Sequence, residues 1–401
     1  MTVEDVEAKA GRLYKGVILA PMVRASTTPL RTLALKYGAD AVYTEELMDR
    51  SVITSCREVL SDGMIEFRRD TTKWTEKTRK NVSTKYGGQP PILLKIDPSR
   101  EEGKLICQLG TGEPSLALQA ALLVHRNVSA IDINMGCPKK FSVAGGMGSA
   151  LLTDPERAGS IVRALRFGLP EKPVSCKIRL IKNTQTTVDF CSAMIHAGAL
   201  AIAIHARYVD DESTKPADWK TLREVIPLLK SKYPSVPLLV NGDFYTRQEW
   251  TDMMEETGAD GVLLSRSALY NTSIFRTPPA GEVGPFLQDS SLLLDKTMVV
   301  QDYLRECVRY DTYYKYVKYV ICEMMNSCRN HPERRIQMPQ IYPGGQTIPM
   351  LCNSKSSKEI CRLWKVTTED DTTRKCISSA DHHRYDDSYF LKDSNSGATN
   401  D

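Results

Sequence analysis

Eight short apolar runs punctuate the first two thirds of the chain, at residues 17–20, 41–43, 105–108, 131–133, 174–178, 201–204, 238–240 and 261–264. Each is too short for a helix and is followed by turn or cap residues, the pattern of parallel strands buried on both faces. Between most of them lie longer stretches with apolar residues at helical spacing, as in 114–124, 155–167, 188–196 and 219–229. An α/β fold follows: eight strand-then-helix units over about 250 residues predict a (β/α)8 TIM barrel in preference to an open parallel sheet.

The rhythm changes near residue 286. No further strand-like runs follow, and 292–329 reads as continuous helical material, so a smaller all-α domain is expected over 286–366. It is rich in tyrosine and base, with Tyr303, Arg305, Arg309, Tyr310, Tyr313, Tyr314, Lys315, Tyr316, Lys318 and Tyr319. The barrel is expected to span 16–285, after an N-terminal extension of residues 1–15. The polar, Asp- and Ser-rich stretch 367–401 is expected to be disordered. Between the second and third runs, 61–90 carries Arg68, Arg69, Lys73, Lys77, Arg79, Lys80 and Lys85 with few acids. A solvated basic loop is the expectation for this insertion, with an arm that contacts phosphate as the alternative.

Composition narrows the class. With 53 Lys and Arg against 49 Asp and Glu, the net charge of +4 does not announce a nucleic-acid binder, so any basic surface must be local. Eleven cysteines without a CxxC pair, and an N-terminus without an apolar stretch of signal-peptide type, point to reduced thiols and a cytoplasmic protein. No apolar run reaches the 18 residues of a membrane span. HExxH, paired Cys/His ligand spacings and a P-loop are all missing, so no metal is expected. Gly145-Gly146-Met147-Gly148 follows a loop rather than a strand and lacks the G-x-G-x-x-G spacing of a dinucleotide fold.

In a barrel the ligand groups gather where strands end. The runs here end in Pro21 and Met22, Thr44 and Glu45, Gln108, Asn134 and Cys137, Lys177 and Arg179, His205 and Arg207, Asn241-Gly242-Asp243, and Ser265-Arg266. Singly, each has a plain structural alternative: a cap for Gln108, a snorkelling lysine, a satisfied core imidazole for His205, a small buried hydrophobe for Cys137. Together an amide, cations, an imidazole and a thiol at one mouth form a candidate site. Cys137 is the most informative of them, at the apex of a turn forced by Gly136 and Pro138 and followed by Lys139. The last two loops suit phosphate, with Gly242 allowing close backbone approach and Arg266 supplying a rigid cationic fork.

In order, LAPM at 19–22, CQLGT at 107–111, NMGCPKK at 134–140, GGMGSALL at 145–152, CKIRL at 176–180, AIHAR at 203–207, VNGD at 240–243 and LLSRSAL at 263–269 resemble the tRNA-dihydrouridine synthase family. The resemblance runs from about residue 15 to 330 and is greatest to the eukaryotic cytoplasmic type that acts at D-loop position 20. It implies an FMN-bearing barrel recharged by NADPH or NADH, then a helical domain that helps clamp tRNA. Cys137 would be the acid that protonates uracil C5. Pro21, Met22, Gln108, Lys177, His205, Asn241, Gly242, Asp243, Ser265 and Arg266 would contact the flavin. Asn134, Lys139, Arg207, Lys315, Lys318, Arg334 and Arg335 would meet the tRNA.

As an acid, the useful form of Cys137 is the thiol rather than the thiolate, so no strong lowering of its pKa is expected. The target base must leave its stack to reach the barrel mouth. Two departures stand out. Ser265 occupies a position where glycine or alanine is frequent in the family. Animal relatives carry a double-stranded-RNA-binding module after the helical domain, and the stretch after Trp364 is too short for one, so a separate protein partner is expected to compensate. The competing functions are an FMN barrel oxidoreductase acting on a small pyrimidine or cyclic alkene, which has no need of the basic helices, and a non-catalytic tRNA-binding homologue.

Overall fold

A computed structural model of the chain describes residues 2–70, 72, 75–76, 92–277, 292–325 and 346–367. Its strands are β1 (Gly16–Leu19), β2 (Ala41–Met48), β3 (Ser55–Val59), β4 (Ile65–Arg69), β5 (Ile92–Ile96), β6 (Leu105–Gly110), β7 (Ala130–Asn134), β8 (Val174–Arg179), β9 (Ala201–His205), β10 (Leu238–Asn241) and β11 (Gly261–Leu264). All eight apolar runs are strands of one closed parallel barrel, ordered β1-β11-β10-β9-β8-β7-β6-β2. The fold is a (β/α)8 barrel.

The strands read as unbroken apolar runs because both faces are buried. On β1, Ile18 points into the barrel with Tyr43, Ile106, Leu239 and Leu263, while Leu19 joins the layer between barrel and helices. Alanines at 41, 130, 201 and 203 on the inner face make room for Tyr14 and Tyr43. The first fifteen residues are more than an extension. Val3–Leu13 is a helix closed by a Thr2/Asp5 capping box, and its Ala10 and Leu13, with Tyr14, plug the strand-start end of the barrel.

The start of the basic insertion, residues 61–70, is not a solvated loop. A Leu60–Met64 turn at Asp62-Gly63 joins β3 to β4, and β5 completes a three-stranded antiparallel sheet. Arg68 is not a solvated charge, because it pairs with Glu66, which also takes Lys95 Nζ at 2.9 Å. Lys73, Lys77, Arg79, Lys80 and Lys85 lie outside the described residues.

The expected continuous helix is also two. Lys296–Arg309 ends at Tyr310, Asp311 takes a left-handed turn (φ 48°), and Tyr314–Met325 begins anew. Aspartate is among the few non-glycine residues that tolerate that region. Two shorter helices, Ile348–Asn353 and Ser357–Leu363, follow. These helices share one apolar cluster with the barrel layer, running from Leu30 and Leu33 through Val299 and Leu304 to Trp364. Polar ties reinforce the seam: Lys95 Nζ donates to the Tyr310 carbonyl at 2.8 Å, Tyr310 OH to Asp97 at 2.7 Å, and Arg100 pairs with Glu306. Tyr303, Tyr310, Tyr313 and Tyr316 are buried, so these tyrosines are core rather than a stacking surface. Among the described residues no helix is long and apolar enough to cross a membrane.

Candidate active site

Strand register builds the site. Glu46 pairs with Gln108, Gln108 with Asp132, Asn134 with Lys177, Arg179 with His205, and His205 with Asn241, so neighbouring strands deliver polar side chains at adjoining levels of the mouth. Two cavities open there, of about 210 and 200 Å³. They share Arg179 and His205 as walls. The arrangement suits one elongated ligand better than two small ones.

The first cavity holds Cys137. Asn134 Oδ1 accepts the backbone N–H groups of Gly136 and Cys137, both at 3.0 Å, and so folds the chain into the turn that presents the thiol. The glycine-rich segment closes on the same turn. Ser149 N donates to the Cys137 carbonyl at 2.9 Å, and Gly148 (φ 58°) has no room for a side chain, since a Cβ would stand 2.5 Å from that oxygen. Burial, followed by the facing Glu46, raises the thiol's pKa and keeps it protonated. Lys177 shares the cavity, and burial, with help from Arg179, lowers its ammonium to about 8.

Gln108 is held from both ends. Its Nε2 donates to Asp132 at 2.8 Å, and its Oε1 accepts from Asn134 Nδ2 at 3.4 Å. Asp132 is fully buried and also receives Ser175 Oγ at 2.5 Å, whose own acceptor side takes Tyr14 OH at 2.8 Å. Burial raises the Asp132 carboxyl to about 6. This column of hydrogen bonds fixes which edge of the Gln108 amide faces the cavity.

The second cavity is an arginine clamp. Asp243, itself in the left-handed region (φ 57°), takes Arg266 on one carboxylate oxygen and Arg207 (2.5 Å) with Ala217 N (2.9 Å) on the other. Arg266 also donates to the Ser213 carbonyl at 2.8 Å. Arg207 Nη1 lies 3.1 Å from His205 Nε2, and because a guanidinium only donates, that nitrogen accepts and the ring proton sits on Nδ1. Burial and four surrounding cations push His205 well below its ordinary pKa, so it is a neutral imidazole. Gly242, Ser265 and Asn241 line the same cavity, and Asn241 Nδ2 is anchored on the Leu263 carbonyl at 2.8 Å.

Several expected site residues therefore meet here: Pro21, Gln108, Asn134, Cys137, Lys177 and His205 around the first cavity, and Arg207, Asn241, Gly242, Asp243, Ser265 and Arg266 around the second. Met22 instead packs against the barrel layer. Arg207 is buried and spent on Asp243, His205 and the Lys215 carbonyl, which removes it from any surface that could meet RNA. Asn134 is likewise engaged in shaping the thiol turn. Lys139 is exposed on the rim. Lys315 is exposed, Lys318 Nζ is bound to the Cys352 carbonyl at 2.8 Å, and Arg334 and Arg335 lie outside the described residues. Sequence reasoning missed Glu46, which a one-residue bulge in β2 turns into the first cavity: residues 43 to 46 span the distance of 106 to 108 on β6. Arg179, noted at a strand end but given no role, is the wall between the cavities. Among the described residues no three His, Cys, Asp or Glu side chains gather as a metal set.

Residues 88–340 match the family described as dihydrouridine synthase (Dus). The chain belongs to the dihydrouridine synthase family. It is 34% identical over 334 residues to a protein of Schizosaccharomyces pombe named tRNA-dihydrouridine(20) synthase (NAD(P)+), a match covering 81% of this chain and 63% of that one. A Saccharomyces cerevisiae protein of the same name is 30% identical over 321 residues, 78% of each chain. A Mus musculus protein named as like tRNA-dihydrouridine(20a/20b) synthase (NAD(P)+) is 30% identical over 268 residues, 66% of this chain and 70% of that one. The chain thus spans under two thirds of the S. pombe relative's length. The family match begins after β1 and β2, so Pro21 and Glu46 enter the site from strands outside it.

Proposed function

We propose that this chain reduces the C5–C6 double bond of a D-loop uridine in tRNA, at position 20, with FMN as cofactor, NADPH or NADH as reductant and a proton from Cys137. The observation that carries this reading is the pair of joined cavities, one lined by Arg266, Ser265 and Gly242 and fit for a phosphate, the other by Gln108 and Lys177 and fit for a ring, with a protonated thiol beside the second. The names of the two yeast relatives support the substrate position and the nicotinamide.

The residues present fit the cofactor. The two cavities share Arg179 and neutral His205, so a ring and a phosphate of one ligand would find their partners side by side. Arg266 would hold the phosphate, and Gln108, Lys177 and His205 the ring. Bound there, FMN supplies hydride to uracil C6 and recovers it from the nicotinamide.

The rest is the protein's work. As negative charge develops on the uracil, Lys177 offers a buried cation, which counts for more than one in water. Cys137 then gives its proton to C5 from a turn fixed by Asn134. Asp243 positions Arg207 and Arg266 at the cavity that would take the phosphate. Lys139 at the rim and Lys315, Lys318, Arg334 and Arg335 in the helical part are assigned to the tRNA backbone. Residues 16–285 are read as the flavin-binding unit and 286–366 as the tRNA-clamping one.

The test is direct. Purified protein should be yellow and release FMN on denaturation, and with NADPH it should form dihydrouridine in tRNA but leave free uridine unreacted. Colourless protein that cannot be reconstituted with FMN overturns the reading. Equal turnover of free uridine would transfer it to small-molecule chemistry.

A further inference from the structure

Transfer of its proton leaves Cys137 as a thiolate in a cavity that disfavours the charge, so each turnover requires that the sulfur be protonated again. The groups that face it are few. Lys177, Arg179 and His205 line the cavity from β8 and β9, Glu46 lines it from β2, next in sequence to Glu45, whose carboxylate accepts Arg24 N, and Lys139 acts on the thiol from its own loop as an exposed ammonium already assigned to the tRNA backbone. Arg179 does not release a proton, and its Nη1 is bound to the Tyr208 carbonyl at 2.7 Å. His205 is neutral, and its Nε2 accepts from Arg207 Nη1. Lys177 is the cation the developing charge needs.

Glu46 is different. Its carboxyl faces the Cys137 thiol and the Asn134 amide, and its Oε1 is sealed from solvent and has no hydrogen-bond partner. A carboxylate with one sealed, unpartnered oxygen is costly, and a carboxylic acid there is less so. The bulge that aims it inward interrupts the β2–β6 ladder at that point.

We propose that Glu46 is the proton relay that restores the Cys137 thiol after each transfer, a positioning residue that acts through Cys137 and never touches the uracil. The proposal rests on the reading of Cys137 as the acid. The S–H bond of Cys137 breaks as the C5–H bond forms, leaving a thiolate. The O–H bond of Glu46 breaks as S–H re-forms, leaving a carboxylate. Water at the cavity mouth then returns a proton to the carboxylate, and no electrons change hands. Burial supports the step by raising the Glu46 carboxyl to about 7, against partial opposition from the Cys137 and Asn134 contacts and from Lys177, so the group carries a proton near neutrality.

The experiment uses the full flavin-loaded chain, the parent, Glu46→Gln, Glu46→Asp and Cys137→Ala, with flavin content and melting temperature as checks on folding. Alkylation of Cys137 by iodoacetamide, followed on its peptide by mass across pH, needs neither tRNA nor reductant. Glu46→Gln removes the facing charge, so its alkylation midpoint should move to lower pH and its rate at pH 8 should rise several-fold. Pre-reduced enzyme should form its first dihydrouridine at the parental rate in Glu46→Gln, since the thiol starts protonated. Steady-state turnover should fall by roughly 10 to 10²-fold. The parental profile should decline as pH rises through about 7, that decline should vanish in Glu46→Gln, and Glu46→Asp should restore part of the rate.

The relay is overturned if Glu46→Gln keeps the parental steady-state rate and pH profile. It is also overturned if the first turnover slows as much as the later ones, because Glu46 would then build the site rather than recharge it. Failure of the underlying reading looks different: Cys137→Ala would complete its first turnover at the parental rate.

Discussion

In the cavity beneath Arg266, charges answer charges: Asp243 holds Arg207 and Arg266, and Arg266 also holds the Ser213 carbonyl. Across the Arg179 wall, the cavity of Cys137 is lined by groups that burial has moved toward neutrality, with Glu46 at about 7, Lys177 at about 8 and the thiol raised. The first arrangement suits a ligand of fixed charge, whose cation fork is preorganised before it arrives. The second suits protons that must move, because a group near its pKa at working pH can both give and take. One barrel mouth thus divides binding from proton transfer between two sets of loops, β10 and β11 for the one, β2, β7 and β8 for the other.

The largest effect should come from the proton side. Cys137→Ala should keep FMN and its reduction by NADPH while slowing uridine reduction by roughly 10² to 10⁴, the usual worth of a positioned acid. Stopped-flow traces of flavin bleaching, set beside dihydrouridine formed per tRNA, separate the two half-reactions. If both fall together, the thiol is part of the fold and the contrast between the cavities collapses.

Asp132 tests whether the proton side is held under electrostatic cost. Its folded pKa of about 6 lies above the ordinary 3.8, so the folded state binds the proton more tightly than the unfolded chain. Stability contributed by this group is therefore intact below about pH 4 and lost as pH rises toward 6, by about 3 kcal/mol in all. Asp132→Asn stays neutral throughout. Urea midpoints of variant minus parent should climb between pH 4 and 6 and then level off, and a difference that is flat across that range would show the buried carboxylate to be fully compensated by Ser175 and Gln108.

How much of this was legible from sequence follows the same division. The eight strands were visible because both faces of a parallel barrel strand are apolar, which leaves runs such as 261–264 uninterrupted. The arginine clamp was visible as residues, since NGD and SRS sit at strand ends, but its geometry was not: nothing in the sequence pairs Asp243 with Arg207 and Arg266. Glu46 was invisible because a bulge reverses the alternation that sequence reading relies on, so Glu45 drew the attention. The first ten residues of the insertion, 61–70, were misread by counting charges while passing over the Asp62-Gly63 turn between two alternating segments. Tyr313 and Tyr316, three apart, share the buried side of their segment, a spacing that composition alone could not convert into core.

On the binding side, Arg266→Ala should weaken FMN by about 2 kcal/mol, the range of a hydrogen bond to a charged group, and leave riboflavin nearly unaffected. Flavin fluorescence titration with the two ligands gives the ratio. Equal loss for both would place Arg266 on the ring or in the framework, and the second cavity would no longer be the phosphate end.

The smallest effect lies farthest from either cavity, on Tyr314–Met325. Lys315 is exposed with its Nζ 5.6 Å from the Tyr313 ring, whereas Lys318 stands over Tyr314 at 5.2 Å and is anchored on the Cys352 carbonyl. Two lysines one turn apart thus differ in exposure: Lys315 is open to solvent, and Lys318 is half-buried and must give up its hydrogen bond to the Cys352 carbonyl before it can follow an RNA phosphate. Each cation that neutralises a phosphate adds about 0.7 to 0.9 to the slope of log affinity against log salt. Lys315→Glu should flatten that slope by about one unit and weaken tRNA binding at low salt, with FMN content and melting temperature unchanged. Lys318→Glu should lower the melting temperature as well, since its loss frees the Cys352 carbonyl. If Lys315→Glu binds tRNA with the parental affinity and slope, this face is merely solvated and the assignment of the helical part to tRNA loses its one exposed described cation on that helix.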